Sequence, residues 1–211
     1  MLSIEKELWN EGYNYIACID EVGRGCLAGE VVACAIIMPK ELLIEKVNDS
    51  KKLTPKTRDK LYDIILENAV AVGLGAVGPE TIDEINIKNS TKLAMKMAIK
   101  NLKNKDGQGV TPDYVLIDAE KLDIDIPQKN IIKGDSKCHG IAAASIIAKV
   151  YRDRQCIELA KEYPEYAFEK NKGYGTKVHR EALKKVGPCP IHRLTFLKKI
   201  LDEAQQLSFW G

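Results

Sequence analysis

Tyr15-Ile16-Ala17-Cys18-Ile19-Asp20-Glu21-Val22-Gly23-Arg24-Gly25-Cys26-Leu27-Ala28-Gly29-Glu30-Val31 is the stretch that decides the fold. A short apolar run ends in two acids, a glycine-containing connection follows, and a second apolar run, residues 31–38, stops at Pro39. Runs of this length, rich in β-branched residues and bounded by glycine and proline, predict two adjacent strands joined by a long loop. Tyr114-Val115-Leu116-Ile117 reads as another strand, stopping at Asp118, and Ile131-Ile132 as a brief one before Lys133-Gly134-Asp135. Residues 70–77 form a further strand candidate, weakened by Gly73 and Gly75.

Helices fill the remainder. Thr54 has the form of an N-cap with Pro55 at the first helical position, followed by the stripe Leu61, Ile64, Ile65 and Ala69. Ser90 is expected to cap a helix through Leu102, with Leu93, Ala94, Met97 and Ala98 on one face. Residues 141–150 are apolar on all sides and predict a buried helix continuing to about Glu162. Helical stretches near 178–186 and 191–206 finish the chain. Strands first, then alternation with helices, predict an α/β protein with a mixed sheet flanked by helices.

The chain has 211 residues, 45% hydrophobic and 29% charged, as in an ordinary folded protein with room for a real core. The apolar run at 31–38 is far too short to span a bilayer, and the early acids Glu5 and Glu7 do not suit a secretory signal, so a cytoplasmic location is expected. Six cysteines without a CxxC pair suit buried thiols in a reducing compartment. The net charge of +2 alone predicts no polyanionic partner. Its distribution is uneven, however: residues 170–199 carry nine Lys or Arg against the single acid Glu181. Such a run is either a solvated helix face or a surface that tracks phosphates.

Asp20, Glu21, Asp118 and Asp135 fall at or just past strand ends, where α/β sheets bind ligands. Taken singly, each is better explained as a turn residue or a helix cap. Taken together, converging carboxylates repel unless cations neutralise them, and hard oxygen ligands suit Mg²⁺ or Mn²⁺. Two-metal phosphoryl transfer is the chemistry that fits such a set.

The local sequence around these acids resembles the ribonuclease HII family. Residues 19–29, centred on Asp20-Glu21-Val22-Gly23-Arg24-Gly25, match its opening motif, and Asp49-Ser50-Lys51-Lys52-Leu53 its second. Lys133-Gly134-Asp135-Ser136, with the alanine-rich run at 141–150 and Arg152-Asp153, match the third. Gly173-Tyr174-Gly175-Thr176 with His179, and His192-Arg193 with Phe196, match the C-terminal signature. The resemblance implies a ribonuclease H-like fold and a monomeric, divalent-metal-dependent endonuclease. The substrates it implies are RNA/DNA hybrids and single ribonucleotides embedded in duplex DNA. It carries over Asp20, Glu21, Asp118 and Asp135 as metal ligands and catalytic residues, with Mg²⁺ or Mn²⁺ bound, two ions during catalysis. It assigns Gly23, Arg24, Gly25 and Tyr174 to the junction between ribonucleotide and deoxyribonucleotide, while Lys51 and Lys52 are expected to add phosphate contacts. Departures are Cys26 and Glu30, where the family has proline, Ala119, where it has glycine, and His139-Gly140 before the alanine run.

This divides the chain into a catalytic domain, residues 1–165, and a helical substrate-binding extension, residues 166–211, packed on the same domain. The terminal Gln206-Leu207-Ser208-Phe209-Trp210 is similar to short peptides that dock on the bacterial sliding clamp; the alternative is a tail folded onto its own domain. Two rival activities are a hybrid-binding protein without catalysis and a thiol enzyme built on Cys138 and His139.

Overall fold

The computed structural model describes residues 1–208, with side chains through residue 202. Its centre is a five-stranded sheet of order β3-β2-β1-β4-β5, formed by β1 (Ile16–Val22), β2 (Val31–Ile37), β3 (Ala71–Val77), β4 (Tyr114–Asp118) and β5 (Gln128–Ile131). β1 pairs antiparallel with β2 from Ala17 opposite Ile37 to Val22 opposite Val32, and β2 pairs antiparallel with β3. β4 lies parallel to β1, with Ile117 beside Ile19, and β5 lies parallel to β4. The sheet is therefore mixed, and its central strand carries Asp20 and Glu21.

Side chains alternate across this sheet with period two. Cys18, Cys34, Ile36 and Leu116 pack on one face against helix α4 (His139–Glu162) and helix α1 (Ser3–Asn10). Ala17, Ile19, Ala33, Ala35, Val115 and Ile117 pack on the other against helix α3 (Pro79–Lys100). Every residue of β2 is buried, because helices cover both faces.

Gly73 and Gly75, which weaken β3 as a strand, seat α3. A Cβ at Gly73 would lie 2.1 Å from the carbonyl oxygen of Ala98, and one at Gly75 would lie 2.0 Å from that of Ala94. The helix backbone thus rests where side chains would otherwise stand.

Several helices differ from expectation. α2 (Pro55–Asn68) starts as predicted, with Thr54 Oγ1 accepting from the Thr57 amide, but only Leu61 and Ile65 are buried within it and Ile64 faces out. α3 starts at Pro79 rather than after Ser90. Its backbone breaks at Asn86 (φ 65°, ψ 162°), whose Oδ1 accepts from the amides of Lys88 and Asn89. Asn86 therefore caps the second half, since asparagine tolerates a left-handed φ that most residues avoid. Ser90 instead lies inside the helix, donating to the Asn86 carbonyl at 2.8 Å. α1 has no counterpart among the sequence expectations. In β5 only Ile131 of the predicted Ile131-Ile132 pair belongs to the strand, and Ile132 is 67% exposed.

The C-terminal part holds α5 (Phe168–Asn171), α6 (Lys177–Val186) and α7 (Leu194–Ser208). Tyr166, Phe168, Leu183, Leu197 and Ile200 form a third apolar cluster around Ala28, so loop 23–30 is packed against these helices. All six cysteines are free, and five are buried. Among the described residues no helix is long and apolar enough to cross a membrane.

Candidate carboxylate cluster and nucleic-acid interface

The parallel pairing of β1 with β4 brings Asp20 and Asp118 to the same end of adjacent central strands. Asp135 follows β5 in a short 3₁₀ turn, Gly134–Ser136, whose first amide donates to Asp118 Oδ1 at 2.7 Å. Asp118 is the common neighbour: its charge raises the carboxyl pKa of Asp20, Glu21 and Asp135 alike. For Asp20, burial raises it most, then the Glu21 charge, while hydrogen bonds from Ser145 and the Glu21 amide oppose. For Glu21 burial again leads, with Asp118 and Glu120 adding and Arg24 opposing. For Asp135 burial is followed by Asp49 and Asp118, with Lys51 opposing.

Like charges held together in this way favour a cation. Glu21 Oε2 is buried with no hydrogen-bond partner, an orphan acceptor that a cation would satisfy. Hard carboxylate oxygens suit a divalent ion of the Mg²⁺ or Mn²⁺ kind. The cluster is nonetheless loose: among the described residues no three of these carboxylates bring oxygens within 4.8 Å of one another.

Loop 23–30 lies beside the acids and is built by backbone contacts. Gly23 has φ 92°, and a Cβ there would meet Arg152 Nε at 2.4 Å and the Glu30 carbonyl at 2.8 Å, so only glycine fits. Arg24 bridges Glu21 at 3.3 Å and Glu120 at 3.4 Å. A Cβ at Gly25 would stand 4.0 Å from Tyr174 Cε1, which places the Gly23-Arg24-Gly25 turn and Tyr174 side by side. Tyr174 is 40% exposed, and burial of the rest, with the Cys26 thiol nearby, pushes its hydroxyl up to about 12. Cys26 is fully buried, its thiol donating to the Lys172 carbonyl at 3.5 Å. Lys51 and Lys52 occupy a 3₁₀ turn capped by Asp49, both exposed, on the Asp135 side of the cluster.

Two arginines hold this loop; both stand in the motifs read from the sequence, but their carbonyl partners appear only in the fold. Arg152 donates to the carbonyls of Glu30 (2.9 Å), Ala28 (3.0 Å) and Lys172 (2.7 Å). Arg193 donates twice to Gly29 (3.0 and 2.8 Å) and once to Arg24 (3.0 Å). Arg193 is fully buried, so it leaves the basic strip in which the sequence places it; Lys170, Lys177, Arg180, Lys184, Lys185, Lys198 and Lys199 remain exposed.

A histidine pair holds Tyr174. His179 Nδ1 lies 2.9 Å from the Tyr174 carbonyl and must donate to it. Its Nε2 then accepts from His192 Nε2 at 3.0 Å, and His192 Nδ1 accepts from the Cys189 amide at 3.0 Å. Burial keeps both rings neutral, holding His179 below the usual imidazole range and His192 at about 4. Glu120, Ser145, Asp49, Arg152, His179 and His192 thus surround the acids and their loop. Asp49, Ser145, Arg152, His179 and His192 lie within the motifs read from the sequence, though without a role assigned there, whereas Glu120, two residues beyond Asp118, lies in none of them.

Cys138 and His139 form no thiol–imidazole pair. Both are fully buried; the thiol donates to Glu5 Oε1 at 3.1 Å, and His139 Nε2 accepts from the Ile44 amide at 3.2 Å. The terminal stretch Gln206-Leu207-Ser208-Phe209-Trp210 lies outside the residues whose side chains are described.

A mixed five-stranded sheet with acids at the ends of its central strands, flanked by helices, is the architecture of the ribonuclease H class of nucleases. The family model for ribonuclease HII matches residues 17–199, and the chain belongs to the ribonuclease HII family. A ribonuclease HII from Alkaliphilus oremlandii is 60% identical over 200 residues, covering 95% of this chain and 98% of that one. The crystal structure of ribonuclease H2 from Pyrococcus horikoshii superposes with a TM-score of 0.74 at 26% identity, over 90% of this chain and 98% of that one. A ribonuclease HII from Archaeoglobus fulgidus, solved in complex with PCNA, superposes with a TM-score of 0.71 at 25% identity, over 87% and 94% of the two chains. Membership makes this chain a metal-dependent endoribonuclease acting on RNA/DNA hybrids.

Proposed function

We propose that Asp20, Glu21, Asp118 and Asp135 are the metal-binding and catalytic residues of this endoribonuclease, and that it also cuts 5′ of single ribonucleotides embedded in duplex DNA. The observation that carries the assignment is the shared electrostatic neighbourhood, in which Asp118 presses on the other three acids while Glu21 keeps a buried acceptor free. Mg²⁺ or Mn²⁺, two ions during the reaction, would supply the Lewis acidity that activates water and offsets charge on the leaving oxygen. The bond formed joins a water oxygen to phosphorus on the 5′ side of the ribonucleotide. The bond broken joins that phosphorus to the preceding O3′, which takes up a proton, leaving a 3′-hydroxyl and a 5′-phosphate.

The other residues bind and orient. Gly23 and Gly25 let peptide groups approach a sugar edge where the 2′-hydroxyl distinguishes RNA from DNA. Arg24 adds a cation at the turn, and Tyr174 presents an aromatic face to the adjoining deoxyribose. Lys51, Lys52 and the exposed cations of the helical extension, residues 166–211, contact phosphates on either side. The terminal Gln206-Leu207-Ser208-Phe209-Trp210 docks weakly on a sliding clamp; the relative solved with PCNA supports this. Deleting residues 206–211 without loss of clamp affinity would end that part of the assignment.

Cleavage of a duplex carrying one ribonucleotide, with and without chelator, tests the reaction. Asp20→Asn and Asp118→Asn should each abolish cleavage while keeping hybrid affinity within about tenfold, roughly 1.4 kcal/mol. Near-normal metal-dependent cleavage by either variant would overturn the assignment.

A further inference from the structure

Behind the sheet, on the side of α1, three donor atoms converge in the interior. Glu5 comes from α1, Cys18 from β1, and Cys138 immediately precedes α4. Their ligand atoms all lie within 4.8 Å of one another, and all three residues are buried, at 4%, 3% and 0% exposure. The thiols of Cys18 and Cys138 are 3.9 Å apart, and the Cys138 thiol is 3.1 Å from Glu5 Oε1. Around a tetrahedral zinc ion, bonds of about 2.3 Å to sulfur and 2.0–2.2 Å to oxygen place neighbouring sulfurs about 3.8 Å apart and sulfur from oxygen about 3.6 Å. The observed sulfur–sulfur separation is already close to its edge, and Cys138 Sγ need move only about 0.5 Å from Glu5 Oε1 to reach the other.

Capping of α4 accounts for one carboxylate oxygen only, since Oε1 accepts from the Gly140 amide at 3.1 Å. Glu5 Oε2 is buried and has no partner. His139, whose buried Nδ1 also lacks a partner, lines the same small cavity as Glu5 and Cys18. Two thiolates and a carboxylate exceed a divalent charge by one, and the positive N-terminal end of α4 offsets the excess.

We propose that Glu5, Cys18 and Cys138 form a second metal site, distinct from the four strand-end acids and selective for a thiophilic divalent cation such as Zn²⁺. Thiolate ligands discriminate against Mg²⁺ and Mn²⁺, so the two sites sort ions by softness. Binding displaces the two thiol protons and fastens α1, which otherwise covers the site, to β1 and α4. The site stabilises the fold and takes no part in cleavage.

Co²⁺, a coloured stand-in for Zn²⁺, tests this on the reduced full-length chain. Wild type should develop a thiolate-to-metal charge-transfer band saturating at one equivalent, which Zn²⁺ abolishes by displacement. Cys189→Ser should keep the band; Cys18→Ser with Cys138→Ser should lose it. Zn²⁺ added over saturating Mg²⁺ should raise the Tm of wild type and leave that of the double variant unchanged. Should the double variant fail to fold, Glu5→Gln retains a cap for Gly140 and should bind Co²⁺ at least tenfold more weakly. An unchanged band in the double variant, no thiolate band at saturating Co²⁺, undiminished affinity in Glu5→Gln, or a Cys18–Cys138 disulfide forming in place of metal binding would each overturn the site.

Discussion

Ala119 stands between Asp118 and Glu120 with φ 53°, a left-handed conformation that an alanine adopts at a cost of about 1–2 kcal/mol. The turn it makes aims Asp118 at the Gly134 amide and brings Glu120 to Arg24. Glycine would remove the strain but add unfolded-state entropy worth about 0.4–1 kcal/mol. Ala119→Gly should therefore stabilise by about 0.5–1 kcal/mol and raise the Tm by about 2–3 °C, read by thermal denaturation. A lower Tm would show the turn to be unstrained. Asp20 makes the opposite compromise. Its folded-state pKa is raised, so the ionised form costs stability, and that cost grows as pH rises above the ordinary carboxylate range. In chelator at pH 7, Asp20→Asn should melt higher than wild type while cleaving nothing, and the gain should shrink as pH falls into the ordinary carboxylate range. Asp20 was legible as a position because an acid ending an apolar run is a visible signal, and Ala119 because it stands where the resembled family has glycine. Their strain was not, because it depends on what the fold brings opposite.

Gly75 and Gly109 separate two uses of glycine at the level of elements. A Cβ at Gly75 would enter the backbone of α3 at 2.0 Å, whereas one at Gly109 meets nothing within 4 Å. Gly75→Ala should destabilise by about 3 kcal/mol or more as helix and strand separate, and Gly109→Ala by less than about 0.5 kcal/mol, in parallel denaturant titrations. Equal effects would contradict the close seat of α3. The His179–His192 relay gives an element-scale prediction in pH. Burial depresses both imidazoles, so the unfolded chain binds more protons below pH 6.5, and stability falls from there through about pH 4, where His192 titrates. His179→Asn with His192→Asn should flatten the dependence of Tm on pH across that window. Continuous apolar runs made β1, β2, β4 and the first half of α4 legible, because each is buried on all sides rather than along one face. Reading by such runs missed α1 and the first half of α3, whose exposed faces are polar, and it shortened β5, an edge strand with Lys129 and Asn130 exposed.

The whole molecule separates its charges. Acids gather at the ends of β1, β4 and β5, and exposed cations line α6, α7 and the turn before them. The net charge of +2 therefore conceals two surfaces of opposite sign. Hybrid affinity should fall with salt, and replacing Lys177, Lys184 or Lys185 by alanine should reduce the slope of log Kd against log salt by about one for each cation that meets a phosphate. A slope unchanged in the triple variant would remove α6 from the interface. The sequence showed this strip but overstated it by Arg193. Nothing local marks an arginine whose partners are carbonyls 164 and 169 residues away.

Those long spans set a clock during synthesis. Loop 23–30 leaves the ribosome early, while Arg152 and Arg193, which hold it, follow 122 to 169 residues later. At about 5–20 residues per second, the interval to Arg193 is roughly 8–33 s. Until then a nascent chain carries Asp20 and Glu21 beside a loop without its anchors. A truncated product ending before residue 193 carries Asp20 and Glu21 but lacks the hydrogen bonds by which Arg193 holds Gly29 and Arg24.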